Sequence, residues 1–149
     1  MSLRSLRASD VLALSAWLSP LTMELGCGRW ISEPTLRESV AAHDVLLYSD
    51  DAGDAFVAYE AGTPVPGCAR IDFVAVAREK RRLGIGSRAA LALERRLARS
   101  ADRIYVRVPP RLGLALYFWL RLGYRPLLQH DWPAPRGEEA SAWMMRKLR

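Results

Sequence analysis

Apolar positions in the first fifty residues repeat at helical spacing and then switch to strand spacing. Leu3 and Leu6 alternate as a short edge strand would. Ser9 and Asp10 then offer an N-cap to a helix carrying Val11, Leu14 and Leu18 on one face, which Pro20 ends. Residues 23–30 are punctuated by glycine and read as a loop. Ser32, with Pro34 behind it, opens a second helix that runs to about Ala42. Val45–Ser49 and Ala55–Glu60 are strands joined at the Asp50–Gly53 turn, and the Gly62–Gly67 segment separates them from Cys68–Ala77, the longest strand-like run.

Downstream the pattern alternates between the two periods. Ala89, Leu93 and Leu97 share a helix face opposite an arginine-rich one, Ile104–Val108 is a short β-branched strand, and Pro109-Pro110 stops it. Leu112–Leu122 is a very apolar helix closed by Gly123. Tyr124–Gln129 and Ser141–Leu148 are the last two strands. Strand–helix–strand order in this half implies a βαβ crossover and a parallel strand pair within an α/β fold. The 149 residues suffice for one domain, 1–149, with no repeat, low-complexity tract or linker.

Charge adds a location to this outline. The chain carries +6, and the segment from Arg78 to Arg103 holds nine arginines and lysines against three acids, enough to account for the whole excess. Such a field suits a phosphorylated cofactor or nucleic acid, and equally a solvated helix face. Cys27 and Cys68 lack metal-ligand spacing and read as unpaired thiols, while two histidines, His43 and His130, leave no histidine-rich metal site, so no metal is expected. No apolar run reaches the roughly 20 residues of a membrane helix and the N-terminus lacks a signal-peptide core, so a cytoplasmic protein with no membrane contact is expected.

The segment with chemistry in it joins the long strand to the arginine-rich helix. Gly84 and Gly86 stand two apart in a turn leading directly from strand to helix. Glycine lets backbone approach a ligand, and the free N–H groups and positive dipole end of a first helical turn attract anions. A pyrophosphate is the natural occupant. A dinucleotide-binding turn would need an acidic residue ending a second strand about 20 residues on, whereas Asp102 precedes its strand; a P-loop would need a lysine after Gly86, where Ser87 stands.

Val74-Ala75-Val76 followed by Arg81-Arg82-Leu83-Gly84-Ile85-Gly86-Ser87 resembles the signature of the GNAT family of N-acetyltransferases, an apolar strand end followed by R/Q-x-x-G-x-G/A. The opening residues 3–10, the Leu120–Tyr124 segment and the closing strand around Trp143 are similar to the same family in order and spacing, so the resemblance covers nearly the whole chain. It implies the acyl-CoA N-acyltransferase fold: a mixed, mostly antiparallel sheet of six or seven strands with about four helices, splayed at the CoA site. It implies that backbone amides from Arg82 to Ser87 hold the pyrophosphate of acetyl-CoA. It further implies that main-chain groups of Val74 and Val76 pair with the pantetheine arm, and that the basic run Arg78–Arg99 faces the adenosine phosphates.

The implied reaction is acetyl transfer to a primary amine of a small molecule or protein by direct attack. Strand alternation puts Arg70, Asp72, Val74 and Val76 on one face. By the resemblance Asp72 is the candidate base; the residues alone read it equally as a strand carboxylate paired with an arginine. Where many relatives place a tyrosine, four residues before the helix-closing glycine, this chain has Trp119; Tyr117 is two residues away and points elsewhere around the helix. Indole N–H donates a hydrogen bond but does not deliver a proton as phenol does. The family's asparagine is replaced by Leu112. Neither cysteine lies at the cofactor end of the motif strand, which argues against a covalent intermediate. Glu24, Trp30, His130 and Trp132 are type-compatible with an acceptor site without selecting an amine. A non-catalytic acyl-CoA-binding sensor or interaction module stays open as a second reading, with nucleic-acid binding a weaker third, and a homodimer is compatible with the exposed last strands.

Overall fold

The computed structural model describes residues 2–21, 33–42, 45–108, 113–133 and 142–148. Among the described residues seven strands and four α-helices are assigned: β1 (Ser2–Ser5), α1 (Val11–Leu18), α2 (Glu33–Ala42), β2 (Val45–Asp50), β3 (Gly53–Ala61), β4 (Cys68–Val76), α3 (Ile85–Leu97), β5 (Arg103–Val108), α4 (Gly113–Arg121), β6 (Arg125–Pro126) and β7 (Ala142–Lys147). The sheet order is β1-β2-β3-β4-β5-β7-β6. β1 with β2, β2 with β3, β5 with β7 and β6 with β7 are antiparallel. β4 and β5 are parallel, with Cys68–Ile71 in register with Arg103–Val106, so the crossover read from the alternating periods is present.

The residues form two compact units, 1–58 with 73–92, and 59–72 with 93–149; β3, β4 and α3 each pass from one into the other. In the first, α1 presents Val11, Leu14 and Leu18 to a core shared with Leu36 of α2 and with Val45, Leu47 and Phe56. Phe56 and Phe73 stack at 5.4 Å between ring centroids. Removing each such side chain from water stabilises the unit by roughly 1.5–3 kcal/mol. In the second unit Cys68, Tyr105 and Trp143 form a core flanked by Val65, Leu127, Trp132 and Met145. Cys68 is a buried free thiol, as its spacing suggested, and Cys27 lies outside the described residues.

Two local expectations are corrected and one is borne out. Asp10 does not cap α1 with its side chain; its carboxylate accepts the Arg7 N–H at 2.8 Å and both Arg4 guanidinium nitrogens at 2.8 and 2.9 Å, closing a single 3-10 turn that precedes the helix. The strong cation beside it decides which backbone donor the carboxylate serves, and holds that carboxyl below its ordinary range. Pro20 ends α1 by diverting the chain into a 3-10 turn, Ser19–Leu21. The strand read over Tyr124–Gln129 contracts to Arg125–Pro126, followed by a 3-10 turn over Gln129–Asp131. Pro126 supplies no ladder donor, so it sits on the last strand of the sheet, where that loss costs least.

Candidate functional site

β4 alternates along its length as its sequence predicts. Ile71, Phe73 and Ala75 are buried, while Arg70, Asp72, Val74 and Val76 are half-exposed on the other face. The strand then gives way to a 3-10 turn, Arg78–Lys80, and to the loop Arg81–Gly84, whose four residues are all exposed. Two residues of this loop adopt left-handed backbone, Arg82 at φ +67° and Gly84 at φ +78°. For Gly84 the motif announces this. Arg82 carries a Cβ, and holding it there costs of order 1–2 kcal/mol, so the surrounding structure must enforce the path.

Helix α3 begins directly behind the loop. Its first intrahelical bond runs from the Arg88 N–H to the Gly84 carbonyl at 3.0 Å. The amides of Ile85, Gly86 and Ser87 therefore have no acceptor within the helix, and they stand at its positive end. An exposed left-handed loop in front of three such donors can accept a compact anion. Arg81 leans back, its Nε donating to the Val76 carbonyl at 3.5 Å.

The basic run is not uniform. Arg88, expected among the groups facing the adenosine phosphates, is engaged by the protein while its side chain stays 41% exposed: its Nε donates to Asp50 Oδ2 at 2.6 Å and its Nη1 to the Leu83 carbonyl at 2.9 Å. Asp50 also accepts the Tyr48 hydroxyl and the Ala52 N–H, each at 2.8 Å. The Arg88 guanidinium, with these further donors, holds the Asp50 carboxyl well below the usual carboxylate range. Burial, followed by the neighbouring carboxylate, pushes the Tyr48 phenol up. No sequence signal joins Arg88 to a residue 38 positions earlier.

Asp72 is 2.8 Å from Arg70 Nε, and Arg70 Nη2 reaches Glu60 of β3 at 3.1 Å. The arginine is thus shared between two carboxylates. Asp72 keeps about a quarter of its side-chain surface exposed, so a polar ligand over this strand face can reach it. The arginine-paired reading and access to solvent hold together in one side chain.

Trp119 and Tyr117 differ in environment. Trp119 is only 4% exposed, with Phe118 and Tyr124 edge-on to it at 4.9 and 5.0 Å. Tyr117 is 68% exposed. The helix closes behind them with Gly123 at φ +96°; the Tyr124 N–H donates to Trp119 O and the Gly123 N–H to Leu120 O. Tyr124, fully buried, donates its hydroxyl to Glu94 Oε1 at 3.0 Å, and Arg146 reaches Glu94 Oε2 at 2.9 Å. Burial raises the pKa of both Tyr124 and Glu94. Sequence reasoning missed this triad because its members come from α3, β7 and the end of α4.

Of the acceptor-side candidates, Trp132 is half-buried, donating its indole N–H to Leu127 O at 3.2 Å, and His130 is exposed beside Asp131 at 3.3 Å. Glu24, Trp30, His43 and Leu112 lie outside the described residues. Among the described residues no cluster of three metal-binding side chains occurs, and no helix is long and apolar enough to cross a membrane.

A strand feeding an exposed left-handed loop and a helix N-terminus, in a mixed sheet that also holds the parallel β4–β5 pair, defines an α/β domain with donors for an anionic ligand at the start of α3. The sequence matches the Acetyltransferase (GNAT) family over residues 15–124, and the chain belongs to that family. Acetyl-CoA is the acyl donor of the family, and N-acetyl transfer is its activity. No curated protein matches the sequence. Among solved structures, smu.2055 from Streptococcus mutans UA159 aligns with a TM-score of 0.78 at 16% identity, covering 100% of both chains. PaiA N-acetyltransferase from Thermoplasma acidophilum, in complex with coenzyme A, aligns at 0.75 and 14% identity over 98% of both chains. N-acetylglutamate synthase from Neisseria gonorrhoeae, complexed with coenzyme A and N-acetyl-glutamate, aligns at 0.76 and 18% identity; it is covered to 35% of its length by 99% of this chain. At these identities the likeness is one of fold.

Proposed function

We propose that this chain transfers the acetyl group of acetyl-CoA to a primary amine, on a small molecule or a protein, by direct attack of the amine on the thioester. The observation that supports the donor site best is the exposed loop Arg81–Gly84, with left-handed Arg82 and Gly84, set in front of the Ile85, Gly86 and Ser87 amides. In this reading those amides hold the pyrophosphate, and the main chain of Val74–Val76 pairs with the pantetheine arm.

Chemistry then falls to Asp72, two residues before Val74 on the same face of β4. An amine attacks only when neutral, so the Asp72 carboxylate takes its proton, directly or through water, while Arg70 fixes the carboxylate's direction. Nitrogen bonds to the acetyl carbonyl carbon, the carbon–sulfur bond breaks, and the thiolate takes a proton from solvent. An alkyl thiol has a pKa of about 8.5, so the thiolate is a tolerable leaving group without an acid. In this scheme buried Trp119 forms a wall, and Tyr117, exposed two residues away around the helix, takes no part at the sulfur. Use of acetyl-CoA as donor supports the reading of a cytoplasmic protein.

Release of free CoA thiol from acetyl-CoA in the presence of a panel of primary amines tests the reading. Amine-dependent release that falls in Asp72→Asn supports it. A second reading, acyl-CoA binding without turnover, is favoured by the burial of Trp119 where relatives carry a tyrosine. Saturable CoA binding with no thiol release from any amine would select it.

A further inference from the structure

We infer that Arg88 is a positioning residue rather than a phosphate ligand: anchored by Asp50 at the tip of the β2–β3 hairpin, it holds the Leu83 carbonyl and fixes the left-handed path of the donor loop. The inference rests on the reading of Arg81–Ser87 as the pyrophosphate site and assigns that site its internal support.

Charge alone would count Arg88 with the other arginines of α3. Its geometry separates it from them. The guanidinium spans from Asp50 Oδ2, at 2.6 Å, to Leu83 O, at 2.9 Å. Asp50 is oriented by two further donors, the Tyr48 hydroxyl and the Ala52 amide. Tyr48 is itself fully buried, so the carboxylate stands on a rigid base. A cation already compensated by an aligned carboxylate offers little field to a phosphate, and swinging out to bind one would break both bonds.

The loop is shaped around this side chain. A Cβ built on Gly84 would lie 2.7 Å from Arg88 Nη1, so the tip of the guanidinium sits directly against the turn, whose left-handed φ of +78° favours glycine. The hairpin also meets the loop's flanks. A Cβ on Gly53 would come within 3.2 Å of Ile85 Cδ1 and 3.5 Å of Lys80 Cδ, placing the hairpin tip against both ends of the Arg81–Gly84 segment. Left-handed Arg82 then has its enforcement: Leu83 O, one residue on, is tied through Arg88 to Asp50.

The two roles for Arg88 predict opposite results for Asp50→Asn. If Arg88 holds the loop, weakening its anchor lowers CoA affinity about tenfold, the size of a charge-assisted hydrogen bond, and adding Arg88→Ala lowers it little further. If Arg88 binds phosphate, freeing it leaves CoA affinity unchanged or raised, which overturns the inference. Amide hydrogen exchange without ligand gives an independent readout. Leu83–Ser87 should exchange faster in Asp50→Asn than in the parent while Leu46 and Leu47 keep their protection; unchanged loop exchange overturns the inference. Should the parent fail to bind CoA while the loop still loosens in Asp50→Asn, the pyrophosphate reading falls and the positioning role stands. Tyr48→Phe, a milder change on the same carboxylate, should shift both readouts in the same direction by less.

Discussion

The Tyr124 hydroxyl donates a 3.0 Å hydrogen bond to the Glu94 carboxylate, and both side chains are buried. The pair joins the residue after the helix-closing glycine to the last turn but one of α3. Tyr124→Phe keeps the ring against Trp119 and removes only the donor. A buried acceptor that loses its partner costs roughly 1–3 kcal/mol, and urea unfolding should show a lower midpoint with an unchanged slope. An unchanged midpoint would mean that the bond contributes nothing net.

Glu94 also gives stability a pH dependence. Burial raises its carboxyl above the ordinary value of 4.5, while Tyr124, Arg146 and Arg95 oppose the shift. Folding therefore favours the protonated form. The group's contribution is complete below pH 4.5 and is lost as pH rises through the raised folded value. The stability difference between the parent and Glu94→Gln should accordingly be most favourable to the parent at acid pH and shrink toward neutrality. A difference that grows with pH would show the ionised form to be the one the fold prefers.

Asp72→Asn addresses the chemistry. A positioned general base contributes about 10²–10⁴ in rate, so kcat for amine acetylation should fall by about a hundredfold or more while the KM for acetyl-CoA stays within about twofold. Loss in KM with kcat intact would make Asp72 a binding residue.

Trp119→Phe separates wall from catalyst. The indole is 4% exposed and packed against Phe118 and Tyr124, so its truncation should lower the urea midpoint by the equivalent of about 1–3 kcal/mol. The kcat of the folded variant should stay within about threefold of the parent. A rate loss beyond the stability effect would assign the indole N–H to the reaction.

Much of the fold is legible in the sequence because its signals are local. Val11, Leu14 and Leu18 announce a helical face, alternate burial along Ile71–Val76 follows from strand period two, and Gly84 marks the left-handed turn. What escaped depends on tertiary partners. Arg82 takes a glycine-like conformation that no property of arginine announces. Arg88 reads as one more surface charge until Asp50 is beside it. Asp10 serves the turn before its helix because Arg4 lies across from it. The strand read over Tyr124–Gln129 is assigned only at Arg125–Pro126, with one further bond from the Leu127 N–H to the Trp143 carbonyl of β7, a contact that only the tertiary fold supplies.

Calorimetric titration with acetyl-CoA and CoA, on the parent and on Gly86→Glu, tests the central claim most directly. A glutamate at Gly86, the second residue of α3, sets a carboxylate among the amides assigned to the pyrophosphate. The account predicts saturable binding by the parent and none measurable by the variant, with both proteins folded. Equal binding by both, or no binding by a folded parent, would contradict it.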